Sequence, residues 1–475
     1  MELHPRIVSA PVDFGAIRSE FGLASDYPAE AVSEARDAVD AFAGTRVDRT
    51  DIEFVTIDPP GALDLDQALC LIRTDTGFTL HYAIADLGAV IVPDSALDRE
   101  SLARGQTFYL PDGTVPLHPP VLSEDTASLL PERDRPAALW TIELDAAAVP
   151  RSATVTRALV RSRARLDYAG VQADADAGTL HPSIAALPEF GKLRIEDGFD
   201  RGAISLRLPA QDVVRDGENW RLELEPRTEA DDWNEQVSLL TGMCAARIML
   251  AHQGTPLGLL RTMPPPPPGA VESMRRTAAA LGLTWPDAIP VGRFLAGLDA
   301  NSAESLVLMS EATTLLRGAG YTLLEGLDDL GPDRLTHSAI GAPYAHVTAP
   351  LRRLADRFTT EICLAYCAGT EVPRWVSDGL AAAVDTMRRT DAVAGKVDRA
   401  CVDLTEATVL RPRVGTDFDA VVLRAAEGSR DAEIFVATPP ILARCTGEPP
   451  EGHTVRARLT AADPTTRTLA FTYVP

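Results

Sequence analysis

Apolar and polar positions change period several times along the chain, and each change marks an element. Phe54-Val55-Thr56-Ile57 is a short β-branched run that reads as a buried strand, and Phe78 to Asp86 alternates with a period of two, which predicts another. Leu97 to Arg104 reads as a helix starting near Asp94 or Ser95. Phe14, Ile17 and Phe21, followed by Ala29 to Phe42, have helical spacing and predict one or two amphipathic helices. Trp233 opens a long apolar helical stretch through Met249, and residues 270 to 326 read mostly as helices. Between them Pro264 to Pro268 leaves no backbone donors and predicts an extended polyproline connector. From Arg411 onward the period returns to two, in short runs (Phe418 to Leu423, Ala432 to Val436, Thr454 to Leu459, Arg467 to Phe471) separated by turns. That spacing fits a five-stranded OB barrel.

With 475 residues and 45% hydrophobic positions the chain has material for two or three domains. The six cysteines are scattered without a CxxC pair, so no disulfides are expected, and Cys363 and Cys367 read as core positions on one helix face. No apolar run is long enough to span a bilayer, and Met1 to Pro5 does not begin a signal peptide, so the expectation is a cytoplasmic monomer without membrane attachment or an evident protein partner. The formal net charge of −23 disfavours nonspecific coating of nucleic acid, because phosphate backbones attract lysine and arginine. Any phosphate contact must therefore be local.

Local chemistry is concentrated at Asp58-Pro59-Pro60-Gly61-Ala62-Leu63-Asp64-Leu65-Asp66-Gln67. Proline fixes φ and glycine accepts conformations closed to other residues, so a turn follows Asp58, and Asp64 and Asp66 share a face if the chain is extended. Carboxylates this close raise one another's pKa unless a cation lies between them, and hard oxygen donors suit magnesium or manganese. A second segment, Tyr344-Ala345-His346-Val347-Thr348-Ala349-Pro350-Leu351-Arg352-Arg353-Leu354-Ala355-Asp356, breaks at proline and then presents two arginines at a helix start, a setting for phosphate.

The first segment resembles the signature of the ribonuclease II (RNB) exoribonuclease family, I-D-P-P-x-x-x-D-I-D-D-A-L, with Gln67 in place of the fourth acid. The second resembles that family's Y-x-H-x-T-S-P-I-R-R-Y-x-D, with Ala349 and Leu354 in place of serine and tyrosine. A third block, His81 to Leu144, also tracks the family. The resemblance implies an α+β fold: a short helical segment (1–48), a large mixed RNB catalytic domain (49–408) and a C-terminal OB-like RNA-binding barrel (409–475). It implies metal-dependent hydrolysis of single-stranded RNA from the 3′ end to nucleoside 5′-monophosphates. Asp58, Asp64, Asp66 and Arg352 then carry catalysis, with Asp58, Asp64, Asp66 and Gln67 around Mg²⁺ or Mn²⁺, Gln67 through its neutral carbonyl. Tyr109, Tyr168, Glu235, His346, Thr348 and Arg353 contact the strand. A partner aromatic for Tyr168 is expected shortly before Arg215, where Val213-Val214 stands. The alternative is an RNA-binding protein with a weakened site, suggested by Gln67, the missing aromatic and the acidity. On this reading Gln67→Asp shifts the metal requirement to lower concentration.

Overall fold

The computed structural model describes residues 9–206, 211–224, 227–252, 256–299, 302–324 and 331–475. The start of the N-terminal segment, including the Met1 to Pro5 stretch, and residues 300–301 and 325–326 of the helical region lie outside them.

The β-branched and alternating runs assemble one six-stranded sheet. Gln67–Thr74 pairs antiparallel with Gly77–Ala85 through a tight connection, and Gly77–Ala85 pairs antiparallel with Asp134–Asp145. Pro150–Leu166, seventeen residues long, pairs antiparallel with Asp134–Asp145 and, at its far end, parallel with Phe54–Ile57. Phe54–Ile57 in turn meets Gln67–Thr74 at Val55–Leu69, so the sheet curls until its edges meet through the long strand. Side chains alternate across it. Leu69, Leu71, Leu80, Tyr82 and Ile84 join the largest core with Trp140, while Ala68, Cys70 and Ala83 face a smaller one.

Two helices cover the first face. Glu229–Leu250 starts earlier than its apolar pattern suggests, because Thr228 and Asp231 form a reciprocal capping box. Leu354–Ala368 is buried along nearly its whole length and ends at Gly369 in left-handed geometry. It is tied to the sheet by a buried ion network: Arg157 pairs with both Asp86 and Glu361, and Arg46 bridges Asp40 and Asp86. Within the Leu354–Ala368 helix Cys363 is buried, whereas Cys367 is exposed and not the core position its spacing suggested. Among the described residues no helix is long and apolar enough to cross a membrane.

The C-terminal period-two region closes into a five-stranded barrel, and its fifth strand, Pro440–Thr446, lies between the runs legible in the sequence. A second core joins this barrel to four other parts of the chain: the hairpin Gln211–Asp216/Asn219–Leu224, the short hairpin Phe108–Leu110/Gly113–Val115, the N-terminal Phe14 and Ile17, and the C-terminal half of the helix Arg374–Leu410. Phe14 meets Trp220 edge-on at 5.4 Å, and Ala10 bridges the backbone of Trp220. The amphipathic start of the chain therefore helps seat the barrel, and Val47–Asp48 joins the end of the N-terminal segment to the six-stranded sheet.

At this joint Glu406 is 5% exposed and accepts from Gln211 Nε2 at 2.7 Å; the same amide also donates 2.7 Å to the Pro440 carbonyl. Burial pushes the Glu406 carboxyl from its ordinary 4.5 to about 7, against the pull of Gln211, with Asp403 adding to the rise. A folded-state pKa above the unfolded value stabilises the neutral form, so this contribution is complete below about 4.5 and is lost as pH rises through about 7. Glu406→Gln is expected to flatten the fall in melting temperature between pH 5 and 8; melts that keep the wild-type slope would assign that slope to another group.

Candidate functional site

The strand Phe54–Ile57 delivers Asp58 to its end, where the Asp58 N–H donates 3.1 Å to the Leu166 carbonyl. Pro59 to Ala62 turns back, with the Ala62 N–H on the Pro59 carbonyl and Gly61 at φ 87°, a value glycine adopts freely. The returning stretch is held from outside. Ser128 Oγ donates 2.6 Å to the Leu63 carbonyl and accepts 3.0 Å from the Leu65 N–H, and Leu129 N–H donates to the Leu65 carbonyl. Arg165 caps the Ala62 carbonyl at 2.9 Å. The neighbouring arginines of that strand have partners as well: Arg163 holds the Thr50 carbonyl and Arg161 pairs with Asp134.

The second segment meets this loop. Asp66, 3% exposed, accepts 2.7 Å from the Leu351 N–H through Oδ1, while Arg352 Nε lies 3.4 Å from its other oxygen. The two arginines precede the helix instead of opening its first turn. Arg353 is the residue before Leu354, and its guanidinium grips Asp356 at 2.7 and 2.9 Å; Asp356 also accepts 2.7 Å from the Ala349 N–H. Arg353 therefore braces the turn, and Arg352, with its side chain 45% exposed, is the cation presented outward. The main chain around it is fixed by the Thr107 N–H on the Arg352 carbonyl and the Leu354 N–H on the Gly105 carbonyl. A Cβ at Gly105 would stand 2.7 Å from Thr386, at a φ of 73°, so only glycine fits.

The remaining candidates divide. Tyr109, 47% exposed on a short hairpin, stands beside Arg352, and the two line one cavity of about 290 Å³ with Gln106 and Asp398. Tyr168 opens the helix Tyr168–Ala177 capped by Asp167, and Asn234 donates to its hydroxyl at 3.4 Å; burial, then the nearby Asp58 carboxylate, lifts the phenol pKa. The position expected to supply its partner does not: Val213 packs into the barrel-side core. Glu235 pairs with Arg227 and lines a separate cavity of about 300 Å³ with Gln236 and His337. His346 shares a hydrogen bond of 2.9 Å with Tyr321 and meets Tyr344 edge-on, which makes it part of a wall beneath the turn. Thr348 is buried and its carbonyl accepts 2.6 Å from Gln67 Nε2. Gln67, expected to offer its carbonyl to a cation, presents that oxygen to the hydroxyls of Tyr82 and Ser238. Ser128, Tyr82 and Ser238 carried no motif that would have singled them out, although Ser128 and Tyr82 fall within the third block of resemblance.

Burial raises the pKa of Asp58 to about 6 and lifts Asp64 and, further, Asp66, while Arg352 counteracts at all three. Arg165 adds to this at Asp58 alone, two guanidiniums do not balance three carboxylates, and Asp58 Oδ2 is buried without a hydrogen-bond partner. Among the described residues no three His, Cys, Asp or Glu side chains converge as a ready-made metal cage. Magnesium is commonly held by one or two carboxylates, with water and phosphate oxygens completing its shell. Asp58 with Asp64 fits that pattern.

Two family models cover most of the chain: "RNB domain" over residues 46–367 and "RNase II-type exonuclease C-terminal S1 domain" over 416–474. The chain is similar to the exosome complex exonuclease RRP44 homolog A of Arabidopsis thaliana, 30% identical over 390 residues, covering 78% of this chain and 40% of that protein. It is also similar to the ribonuclease R of Chlamydia trachomatis, 27% identical over 371 residues, 75% of this chain and 52% of that one. It thus spans about half the length of these curated relatives or less. The fold matches Mycoplasma genitalium RNase R, solved in complex with ribose methylated single-stranded RNA, at a TM-score of 0.85 with 19% identity, covering 97% and 77% of the two chains. It also matches yeast Ssd1, described as a pseudonuclease, at a TM-score of 0.62 with 16% identity, covering 91% and 53%.

The raised pKa of Asp58 predicts a stability cost at the site. Because its folded value of about 6 exceeds the ordinary 3.8, the stability linked to its neutral form is lost as pH rises through about 6. In EDTA at pH 8, Asp58→Asn is expected to raise the melting temperature by about 1–2 °C for each kcal/mol relieved in a chain of this length, by roughly half as much at pH 5, with the two proteins converging only below the ordinary 3.8, where the unfolded carboxyl is protonated as well. A variant less stable than wild type at pH 8 would contradict this.

Proposed function

The chain belongs to the RNB, ribonuclease II-type exoribonuclease family, and we propose that it hydrolyses single-stranded RNA from the 3′ end, releasing nucleoside 5′-monophosphates. The observation that carries the proposal is the approach of Arg352 to the acid loop, with its guanidinium 3.4 Å from Asp66. An anionic phosphodiester needs cationic stabilisation where charge builds and acids nearby to organise the attack, and both stand in one place.

On this reading Asp58 and Asp64 hold a magnesium or manganese ion, which when bound supplies water activation and neutralises phosphate charge. Asp66, fixed by the Leu351 N–H, sets the direction of Arg352, and Arg352 binds the phosphoryl oxygens on which negative charge accumulates. Tyr168 offers a ring face to the terminal base, a contact worth about 1–3 kcal/mol for any base, and Tyr109 sits beside Arg352 to contact the adjoining sugar. The bracing of Arg353 by Asp356 keeps the arginine turn rigid. Pre-organised donors of this kind lose little to reorganisation during reaction.

A second reading, an RNA-binding member with weakened hydrolysis, is favoured by Gln67 at the position of the fourth acid. One assay separates the two: 3′- and 5′-labelled RNA and DNA, incubated with Mg²⁺, Mn²⁺ or EDTA. Stepwise release of mononucleotide from RNA is expected, abolished by EDTA, lowered about 10²- to 10³-fold in kcat by Arg352→Ala, and eliminated by Asp66→Asn. Binding of RNA with no mononucleotide from wild type, and no change in Asp66→Asn, supports the second reading.

A further inference from the structure

Gln67 follows Asp66 directly, opens the strand Gln67–Thr74, and engages three other elements with one amide. Its register opposite Ile84 places Tyr82 diagonally across on the same face of the sheet, and the Tyr82 hydroxyl donates to Gln67 Oε1. Ser238, on the helix Glu229–Leu250, donates to the same oxygen at 3.4 Å and lies 2.9 Å from the Tyr82 hydroxyl. The amide nitrogen donates 2.6 Å to the Thr348 carbonyl, 281 residues away in sequence. An amide oxygen has two lone pairs, and both are taken by hydroxyls.

Thr348 begins the arginine turn. The Arg352 and Arg353 N–H groups both donate to the Ala349 carbonyl, at 3.2 and 2.9 Å, so the backbone fixed at Thr348 and Ala349 determines where Arg352 leaves the turn. Asp66 holds the same turn at Leu351. Adjacent residues, Asp66 just before the strand and Gln67 at its start, therefore grip the turn at two points, one by a carboxylate and one by an amide.

We propose that Gln67 is a positioning residue: its amide locks the Thr348 carbonyl, and through it Arg352, to the acid strand, and it holds no cation. The inference rests on the hydrolytic reading above for its kinetic consequence. The chemistry requires an amide, since only that group accepts from two hydroxyls and donates to a carbonyl from the same plane. A carboxylate here sets an acceptor against the Thr348 carbonyl oxygen, and aspartate also falls one methylene short. The acid that the family motif carries is thus incompatible with this hydrogen-bond pattern.

The test uses the full chain with Gln67→Met, Gln67→Glu and Gln67→Asp, each checked for a cooperative melt, and Tyr82→Phe as a milder change. Steady-state kinetics on oligoribonucleotide should show kcat lowered about 10- to 100-fold by displacement of Arg352, with KM within about threefold and the magnesium midpoint unchanged in all three Gln67 variants. Amide hydrogen exchange across residues 345–354, measured without metal, should speed up in each. A magnesium midpoint shifted to lower concentration in Gln67→Asp or Gln67→Glu overturns the proposal, as does wild-type kcat and exchange in Gln67→Met. If wild type itself releases no nucleotide, the hydrolytic reading fails while the exchange measurement still decides whether the amide locks the turn.

Discussion

Electrostatic crowding is the constraint on which the acid-bearing half of this molecule depends. Three carboxylates within nine residues are drawn into a low-dielectric pocket, and burial raises all of their pKa values. Such a cluster persists only if its backbone is held by parts of the fold that do not share its repulsion. Ser128 and Leu129 hold the loop from one side, Arg165 from another, and the arginine turn from a third. Each attachment is a main-chain or neutral contact except the two guanidiniums, Arg352, whose charge acts on all three acids, and Arg165, whose charge reaches Asp58. The large apolar core beneath, built on Tyr82, Trp140 and the two covering helices, supplies the stability against which this local strain is set.

Support of the arginine turn follows the same logic. His346, Tyr321 and Tyr344 form an aromatic layer beneath it, and burial pushes the His346 imidazole well below its ordinary range, with Arg353 and Arg261 acting in the same direction. A neutral ring there adds no positive charge to a region already carrying three guanidinium groups, those of Arg261, Arg352 and Arg353. Asp356, fully buried, is matched to Arg353 and to the Ala349 N–H, so that a charged side chain and a backbone donor share one acceptor. Arg352 is left as the group oriented by its neighbours and still open to a ligand.

Much of this was readable from the residues because the relevant signals are local. Asp58-Pro59-Pro60-Gly61 determines its own turn, Asp66 and Arg352 fall in separate short motifs, and four of the five barrel strands alternate visibly. Other features depend on contacts that sequence order hides. Nothing near Gln67 reveals that its amide meets a carbonyl 281 residues away, and Tyr82 is one more apolar-face residue of an alternating strand until the register places it on the Gln67 diagonal. Val213-Val214 was assigned by its distance from Arg215, but the hairpin that carries it belongs to the barrel-side core. The helix Glu229–Leu250 begins at polar residues because a capping box, and not apolar periodicity, sets its start. The fifth barrel strand opens on Pro440, which obscures its period.

The helix Arg374–Leu410 is a structural ruler. Val376, Leu380 and Met387 near its start lie in the core of the six-stranded sheet, while Val397, Cys401 and Leu410 near its end lie in the core shared with the barrel. Its 37 residues form one uninterrupted rod between the two bodies. Adding or deleting a single residue in the middle would swing the barrel by ~100° and move it ~1.5 Å along the axis, because that is what one residue of α-helix contributes. Only a change of about a whole turn would keep the same face of the barrel toward the acid pocket, so the relative orientation of the two is set by the helical phase of this rod.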